Sequence, residues 1–183
     1  MNWEAIGSIA EGLGALAVIG SLLFVGNQLR QNQDIAKGNA QRELLIGGAE
    51  WLSSTRHDLR LFETVARLLY EYSSADAEDR HRFSTWGYEL LMLVERAFYM
   101  QRDGYMNEAS WLGFRGMCLS LLLSPGGKQW WETEARYVWG ADAVEHFTAA
   151  IETSDGSTPC HQELRPEFAA KYAELMSSQE RSA

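Results

Sequence analysis

The chain has 183 residues, of which 46% are hydrophobic and seven are tryptophan, enough for one compact domain with an appendage. Its net charge is −9, and because residues 1–42 sum to zero, all of that charge lies in residues 43–183. An acidic domain repels phosphate backbones, which argues against nucleic-acid binding. The only cysteines, Cys118 and Cys160, are too few for a disulfide framework and indicate free thiols in a reducing compartment, with a single bridge as the alternative.

The first predicted element is a transmembrane helix within residues 1–30. The 22 residues from Ala5 to Gly26 contain one charge, Glu11. As a helix they extend about 33 Å, enough for a hydrocarbon core of about 30 Å. Trp3 precedes this stretch and the polar residues Asn27, Gln28 and Arg30 follow it, which is typical of anchors at two membrane interfaces.

Two other readings of this stretch fit less well. A signal peptide has a basic start, and the chain begins with MNWE. A buried helix of a soluble bundle is disfavoured by five glycines, because each costs up to about 1 kcal/mol relative to alanine in such a helix. Membrane helices, by contrast, use small residues for close packing. The glycines are Gly7, Gly12, Gly14, Gly20 and Gly26.

Small residues form a stripe along one face of this helix, together with its one ionisable group. The stripe consists of Gly7, Ala10, Glu11, Gly14, Ala17 and Ser21, and the opposite side carries Ile9, Leu13, Leu16, Ile19, Leu23 and Phe24. An ionisable group in a membrane is costly unless it is neutral or paired. We therefore expect a helix–helix contact in which Glu11 meets a donor. The alternative is that Glu11 lies shallow, protonated or reaching the interface.

Flanking charges predict the orientation. Arg30, Lys37 and Arg42 follow the stretch, and no lysine or arginine precedes it. The positive-inside rule then places the C-terminal domain in the cytoplasm, as in a single-pass protein of the bacterial inner (cytoplasmic) membrane.

The rest of the chain predicts an all-α protein. We expect a helical stalk over residues 31–56 with a bend at Gly47-Gly48, a helical bundle over 57–152, and a loop with a short C-terminal helix over 153–183. The bundle should contain about five or six helices, and the third helix of the chain should be about 25 residues long. The predicted boundary signals are Asp76 as an N-cap, Gly104 after a helix end, Asn107 as an N-cap, Ser124-Pro125 as a helix start, Gly140 as a helix end, Asp142–Glu145 as a capping box and Pro166 as a helix start.

Three patterns occur in order within residues 1–140: WEAIGSIAEGLGALAVIGSLLFVGNQLRQNQ, ERAFYMQRDGYMNEASW and LLLSPGGKQWWE. Together they resemble a family of small bacterial proteins with an N-terminal hydrophobic helix and a helical domain. The resemblance implies a bacterial, membrane-anchored, helical protein. It carries no activity, so it assigns no catalytic residue.

Candidate reactive groups are few. Glu78 and His81 have the spacing of a carboxylate–imidazole pair in di-iron bundles, but no second such pair exists and the surroundings indicate a solvated helix start. Cys160-His161 has no further ligand at zinc spacing, and Cys118 lies on an apolar stripe. We therefore expect no metal, no cofactor and no catalytic residue, although folding could bring His57 or His146 near a thiol.

Trp130 and Trp131 are adjacent, and neighbouring helical positions point about 100° apart. We expect one ring inside the core and the other, like Trp3, at an interface with a partner, a lipid headgroup layer or a bound hydrophobic molecule. The alternative is that this second ring is only half-buried.

These features favour a non-catalytic accessory or scaffolding subunit of a bacterial membrane complex. It would dock on a membrane protein partner through the small stripe, with the bundle bracing the complex in the cytoplasm. Two alternatives remain: a protein that associates with its own copies through the same stripe, and a membrane-tethered sensor or ligand-binding bundle. An enzyme ranks last.

Overall fold

The computed structural model describes the backbone of residues 3–181 and the side chains of residues 11–14 and 16–181. This part of the chain is all-helical: 84% of it is helix, and it contains eight α-helices and no strand. The all-α prediction is therefore confirmed. The helices are α1 Trp3–His57, α2 Leu59–Leu68, α3 Ala77–Arg102, α4 Glu108–Leu122, α5 Pro125–Thr133, α6 Ala141–Glu152, α7 His161–Leu164 and α8 Pro166–Glu180. Short 3₁₀ turns lie at Tyr72–Ser74 and Ala135–Tyr137.

The chain divides into two compact units, residues 1–43 and residues 44–183, and the division falls inside α1. α1 continues as one helix through Gly47-Gly48, where a bend was predicted. Gly47 allows a close contact within the second unit, whereas Gly48 has room for a Cβ. A Cβ on Gly47 would lie 2.8 Å from Leu93 Cδ2, and one on Gly48 would lie 3.6 Å from Phe114 Cε1.

Most predicted helix starts match the structure because each depends on a local hydrogen bond. Side chains of Asp76, Asn107 and Ser124 accept bonds from the backbone N–H three residues later, at 2.8, 2.8 and 3.0 Å. Gly104 has φ +74°, the left-handed conformation expected after a helix end. The third helix has 26 residues, close to the predicted 25.

Three local predictions in the C-terminal third are wrong. Gly140 does not end a helix but is the N-cap of α6, so Asp142 lies inside the first turn and forms no capping box. The helix that was expected to reach Gly140 ends at Thr133 and is followed by the 3₁₀ turn, which leaves Val138 67% exposed. The predicted loop over 153–165 contains α7, which accounts for one helix more than expected after α1.

The core of the second unit is rich in aromatic rings and surrounds α5. Trp130 is 0% exposed and Trp131 is 3% exposed, so the prediction that one of these rings faces a partner or lipid is wrong. The reason is that α5 is covered on two sides. Trp130 packs perpendicular to Phe83 of α3, with ring centroids 5.7 Å apart, and Trp131 packs perpendicular to Trp139 at the same distance.

Glycines bring the start of α5 against the end of α2. The Gly126 N–H donates to Leu69 O at 2.8 Å, and a Cβ on Gly126 would overlap Leu68 O. A side chain at this position would force the two backbones apart. The Pro-Gly-Gly sequence therefore sets both the beginning of α5 and its depth in the core.

Candidate functional site

The most distinctive surface is the apolar part of α1. By length and composition, one helix of the described chain is long and apolar enough to cross a membrane, within Glu11–His57. Between Leu13 and Leu29 its large apolar side chains are exposed, including Leu16 at 66% and Leu23 at 71%. The others are Leu13, Val18, Ile19, Leu22, Phe24, Val25 and Leu29.

Four residues of the predicted small stripe have described side chains: Glu11, Gly14, Ala17 and Ser21, all of them exposed. A Cβ on Gly14 would meet no atom within 4 Å. The Ser21 hydroxyl donates its one proton to Ala17 O at 2.8 Å, so its donor is used within its own helix. Ser21 therefore presents a small surface that needs no polar partner. The side chains of Trp3, Gly7 and Ala10 lie outside the described residues.

The Glu78–His81 pair lies at the exposed start of α3. Glu78 accepts a hydrogen bond from Arg82 at 2.9 Å and pairs with Arg60 at 3.4 Å. The bond from Arg82 lowers the pKa of Glu78. The carboxylate is thus occupied by surface cations, and the described residues contain no group of three or more His, Cys, Asp or Glu that could hold a metal ion.

Neither thiol is activated as a nucleophile. Burial raises the pKa of Cys118 well above its ordinary value. The pKa of Cys160 is also raised, by partial burial and by the hydrogen bond to the Glu163 side chain. Reactive cysteines have a lowered pKa in a positive environment, so both thiols stay protonated at neutral pH. Both are free cysteines.

A buried histidine lies among the aromatic rings. His161, the first residue of α7, is 3% exposed and packs against Trp51, Trp86 and Phe168, with ring centroids 5.9, 5.8 and 5.3 Å away. Trp51 and Trp86 stack at 4.6 Å, and Trp51 Nε1 donates to Trp86 O at 2.8 Å. Aromatic rings from three helices, α1, α3 and α8, therefore surround this imidazole of α7.

The hydrogen bonds of His161 assign its tautomer. Its Nδ1 lies 3.4 Å from Ser120 Oγ, and the Ser120 hydroxyl donates its proton to Met117 O at 2.8 Å. Nδ1–H is therefore the donor to Ser120, and Nε2 is an acceptor with no hydrogen-bond partner among the described residues. Burial, with a smaller contribution from Arg165, lowers the pKa of His161 to about 4. The ring is thus neutral at neutral pH.

A second polar cluster joins the end of α5 to α3. The Glu134 carboxylate accepts hydrogen bonds from the Tyr72 and Tyr88 hydroxyls, the latter at 3.1 Å. Ser84 Oγ lies 3.1 Å from the Tyr72 hydroxyl and accepts from Trp130 Nε1 at 3.1 Å. Burial, aided by Glu134, raises the pKa of Tyr72 to about 12 and raises that of Tyr88. Both phenols remain protonated donors, so this cluster ties elements together.

Sequence reasoning did not find these two clusters. The Trp51–Trp86 and Tyr88–Glu134 pairs are 35 and 46 residues apart, and no spacing rule relates them. The available signal was residue type: a His next to a Cys in a predicted loop, and a Glu directly after a Trp-Trp helix. Neither indicates burial by itself.

Two grooves flank the part of α1 that belongs to the second unit. The groove between α1 and α3 has a volume of about 550 Å³, and Glu50, Glu89 and Arg96 line it along with apolar residues. The groove between α1 and α4, here called the α1–α4 groove, has a volume of about 410 Å³. No charged side chain lines it, and Ser110 is its one polar side chain.

Comparison of the chain with protein families, with curated proteins and with solved structures found no match. The resemblance to a family of small bacterial proteins therefore stays a prediction. A proposal about function therefore depends on the geometry of this chain. Its main features are the exposed apolar part of α1 and the uncharged groove beside the C-terminal part of α1.

Proposed function

We propose that the protein is a membrane-anchored, non-catalytic accessory or scaffolding subunit of a bacterial membrane complex. In this proposal the apolar part of α1 spans the bilayer, its small stripe docks on a partner helix, and the helical domain lies in the cytoplasm.

The observation that supports the anchor is the exposure of nine large apolar side chains between Leu13 and Leu29. Burying a side chain of this kind contributes about 1.5–3 kcal/mol, so leaving all of them in water is strongly unfavourable. Soluble monomers rarely expose a contiguous apolar patch larger than a few hundred Å². A bilayer would cover all sides of the helix at once.

The small stripe supports docking through the same helix. Gly14 and Ala17 would let a partner backbone approach closely, and Ser21 needs no partner for its hydroxyl. Glu11 lies on this face, where a donor on the neighbouring helix would offset its burial in the membrane. A helix that served only as an anchor would have no use for a carboxylate there.

Membrane fractionation with an alkaline carbonate wash tests the anchor. We expect the wild-type protein to stay in the membrane pellet, because carbonate removes peripheral proteins but not spanning helices. The double variant Leu16→Arg, Leu23→Arg should shift to the supernatant, because arginine in the middle of a span costs about 2.5–3.5 kcal/mol per residue.

The matched control places one arginine at Leu112, an α4 residue that is 54% exposed. Leu112→Arg should stay in the pellet. Recovery of the wild-type protein in the carbonate supernatant would overturn the membrane proposal.

Purification of the full chain in mild detergent separates the leading proposal from its alternatives. A stable foreign subunit supports the accessory role, whereas a single species of multiple mass supports self-association. A monomer without companions favours the membrane-tethered sensor.

A further inference from the structure

We propose that residues 153–165, here called the α7 segment, form an acid-released latch within the second unit. The His161 ring holds this segment against the Trp51–Trp86 pair, and protonation of the ring frees the segment while α8 stays in place. This inference goes beyond the proposed function and does not depend on whether α1 spans a membrane.

The α7 segment has few buried side chains. Between the end of α6 and the start of α8, the segment forms one short helix, α7 at His161–Leu164. Within residues 153–165, all of them described, only His161 and Gln162 are buried, with exposures of 3% and 8%. Leu164 is 54% exposed. The attachment of the segment to the core therefore depends on two polar side chains.

These two side chains are incompletely hydrogen-bonded. His161 Nε2 and Gln162 Oε1 are buried and have no hydrogen-bond partner among the described residues. Such an atom is unfavourable because it has lost its hydrogen bond to water. The contact from His161 Nδ1 to Ser120 Oγ is long, at 3.4 Å. The closed position is thus held by the burial of a neutral ring and not by strong polar bonds.

The segment also forms local hydrogen bonds. The Cys160 N–H donates to the Glu163 side chain at 2.7 Å, and the Ser157 N–H donates to the Asp155 side chain at 2.9 Å. One helical turn is not stable alone in water, because helix nucleation is costly. α7 therefore keeps its helical hydrogen bonds only while His161 holds it on the core, and its amide protons report the release.

α8 has its own attachment to the second unit. Phe168 is 0% exposed and packs on Phe62 of α2 with ring centroids 5.0 Å apart. Tyr172 stacks on Tyr70, just after α2, at 4.2 Å. These contacts do not involve His161, so the release of the α7 segment leaves α8 bound to α2.

The side chains that enclose His161 offer no group that shares a proton with it. From α1, α3 and α8 the ring faces Trp51, Trp86 and Phe168, and from α4 it faces Ser120. None of these four side chains titrates between pH 4 and 7. A charge on the imidazole would therefore meet apolar rings on several sides.

Burial is the main reason that the pKa of His161 is about 4 in the closed position. Arg165 lowers it further, and Glu167, which pairs with Arg165, raises it more weakly. In the released segment the ring lies in water, where the pKa is about 6.5. Below that pH the released form binds a proton that the closed form excludes, so release increases as pH falls toward 4. From pH 7.5 to 5.0 the opening constant should rise about 25-fold.

Hydrogen–deuterium exchange of the full chain in mild detergent tests the latch. Exchange is read by mass spectrometry at pH 7.5 and 5.0 and is corrected for the intrinsic pH dependence of amide exchange. We expect protection within the α7 segment to fall about 25-fold at the lower pH, because the open state is that much more populated. Protection in α3 and α8 should stay nearly unchanged.

The variant His161→Phe keeps an aromatic ring at this position but binds no proton. Its α7 segment should show no acid-induced loss of protection. The matched control is His146→Phe, because His146 is a half-buried histidine that also lies beside aromatic rings, those of Phe98 and Trp111. This control should keep the full response of the wild type. A response that persists in His161→Phe, or that disappears in His146→Phe, would overturn the proposal.

The wild-type protein decides two further outcomes by itself, even if a variant does not fold. Unchanged protection of the α7 segment at pH 5.0 would overturn the latch. An equal loss of protection in the α7 segment, α3 and α8 would also overturn it, because acid would then unfold the whole unit and not release one segment.

Discussion

His161 is a titratable residue that is almost fully removed from water, with 3% of it exposed. Its imidazole lies between Trp51, Trp86 and Phe168. Two charged groups act on the pKa of this ring: Arg165, which opposes protonation, and Glu167, which favours it more weakly. Protonation would place a charge among rings that cannot solvate it.

This enclosure predicts a specific pH dependence of stability. The pKa of His161 is about 4 when folded and about 6.5 in an unfolded chain. Between these values the unfolded chain binds a proton that the folded chain excludes, so the free energy of unfolding falls as pH falls from about 6.5 to 4. The loss is at most about 1.4 kcal/mol per pH unit and about 3 kcal/mol in total. Above pH 6.5 His161 contributes no pH dependence.

Urea unfolding at pH 7.5, 6.0 and 5.0 measures this effect against the variant His161→Phe. The variant should lose less stability on acidification, because phenylalanine binds no proton. The half-buried His146 also has a pKa lowered by burial and titrates in both proteins, so only the difference between them reports on His161. Equal losses in the two proteins would contradict the enclosure of a neutral imidazole.

At the scale of elements, the first part of α1 has two sides with different expected roles. On the small stripe, Gly14 has free space around its Cβ position, whereas Leu16 is a large apolar residue on the other side. If a helix packs on the stripe, its approach depends on Gly14 having no side chain. If lipid covers the opposite side, the loss of one leucine side chain there has little effect on helix association.

The variants Gly14→Leu and Leu16→Ala separate these roles. Gly14→Leu should reduce co-purification or crosslinking of the partner helix, because it forfeits packing and any hydrogen bond made by Glu11. Bonds of this kind are worth about 0.6–2 kcal/mol in membranes, so lost packing has the larger effect. Leu16→Ala should leave association nearly intact. The reverse result would show that the partner helix packs on the Leu16 side and not on the small stripe. If neither variant changes the association, this part of α1 serves only as a membrane anchor.

At the scale of the whole molecule, the positive residues beside the apolar part of α1 predict its orientation in the membrane. Residues 43–183 carry the entire net charge of −9, while Arg30 and Lys37 follow the apolar part of α1. Positive residues beside a span favour the cytoplasmic side, and acidic residues have little influence on orientation. A reporter fused after Ala183 should therefore report the cytoplasm. Activity of that fusion as a periplasmic reporter would reverse the orientation.

Local signals in the sequence determined much of this protein. The caps Asp76, Asn107 and Ser124 were predictable because each bond spans three residues. The inward stripe of α4 was predictable from its helical period, and its residues Trp111, Phe114, Cys118, Leu121 and Leu122 are all buried. Composition alone also identified the exposed apolar part of α1 as a candidate span.

The tertiary structure alone decided what surrounds each residue. The sequence gives only the direction in which Trp131 points from α5, and this direction suggested an outward ring. In the structure, Trp139 covers that side. His161 became a buried, neutral ring through Ser120, 41 residues away. Residue type alone predicted a bend at Gly47-Gly48, and only the structure shows Leu93 packed so close to Gly47 that a Cβ there would lie 2.8 Å from Leu93 Cδ2. In each case the deciding contact is distant in sequence, and helical periodicity and capping rules describe only neighbours within about one or two turns.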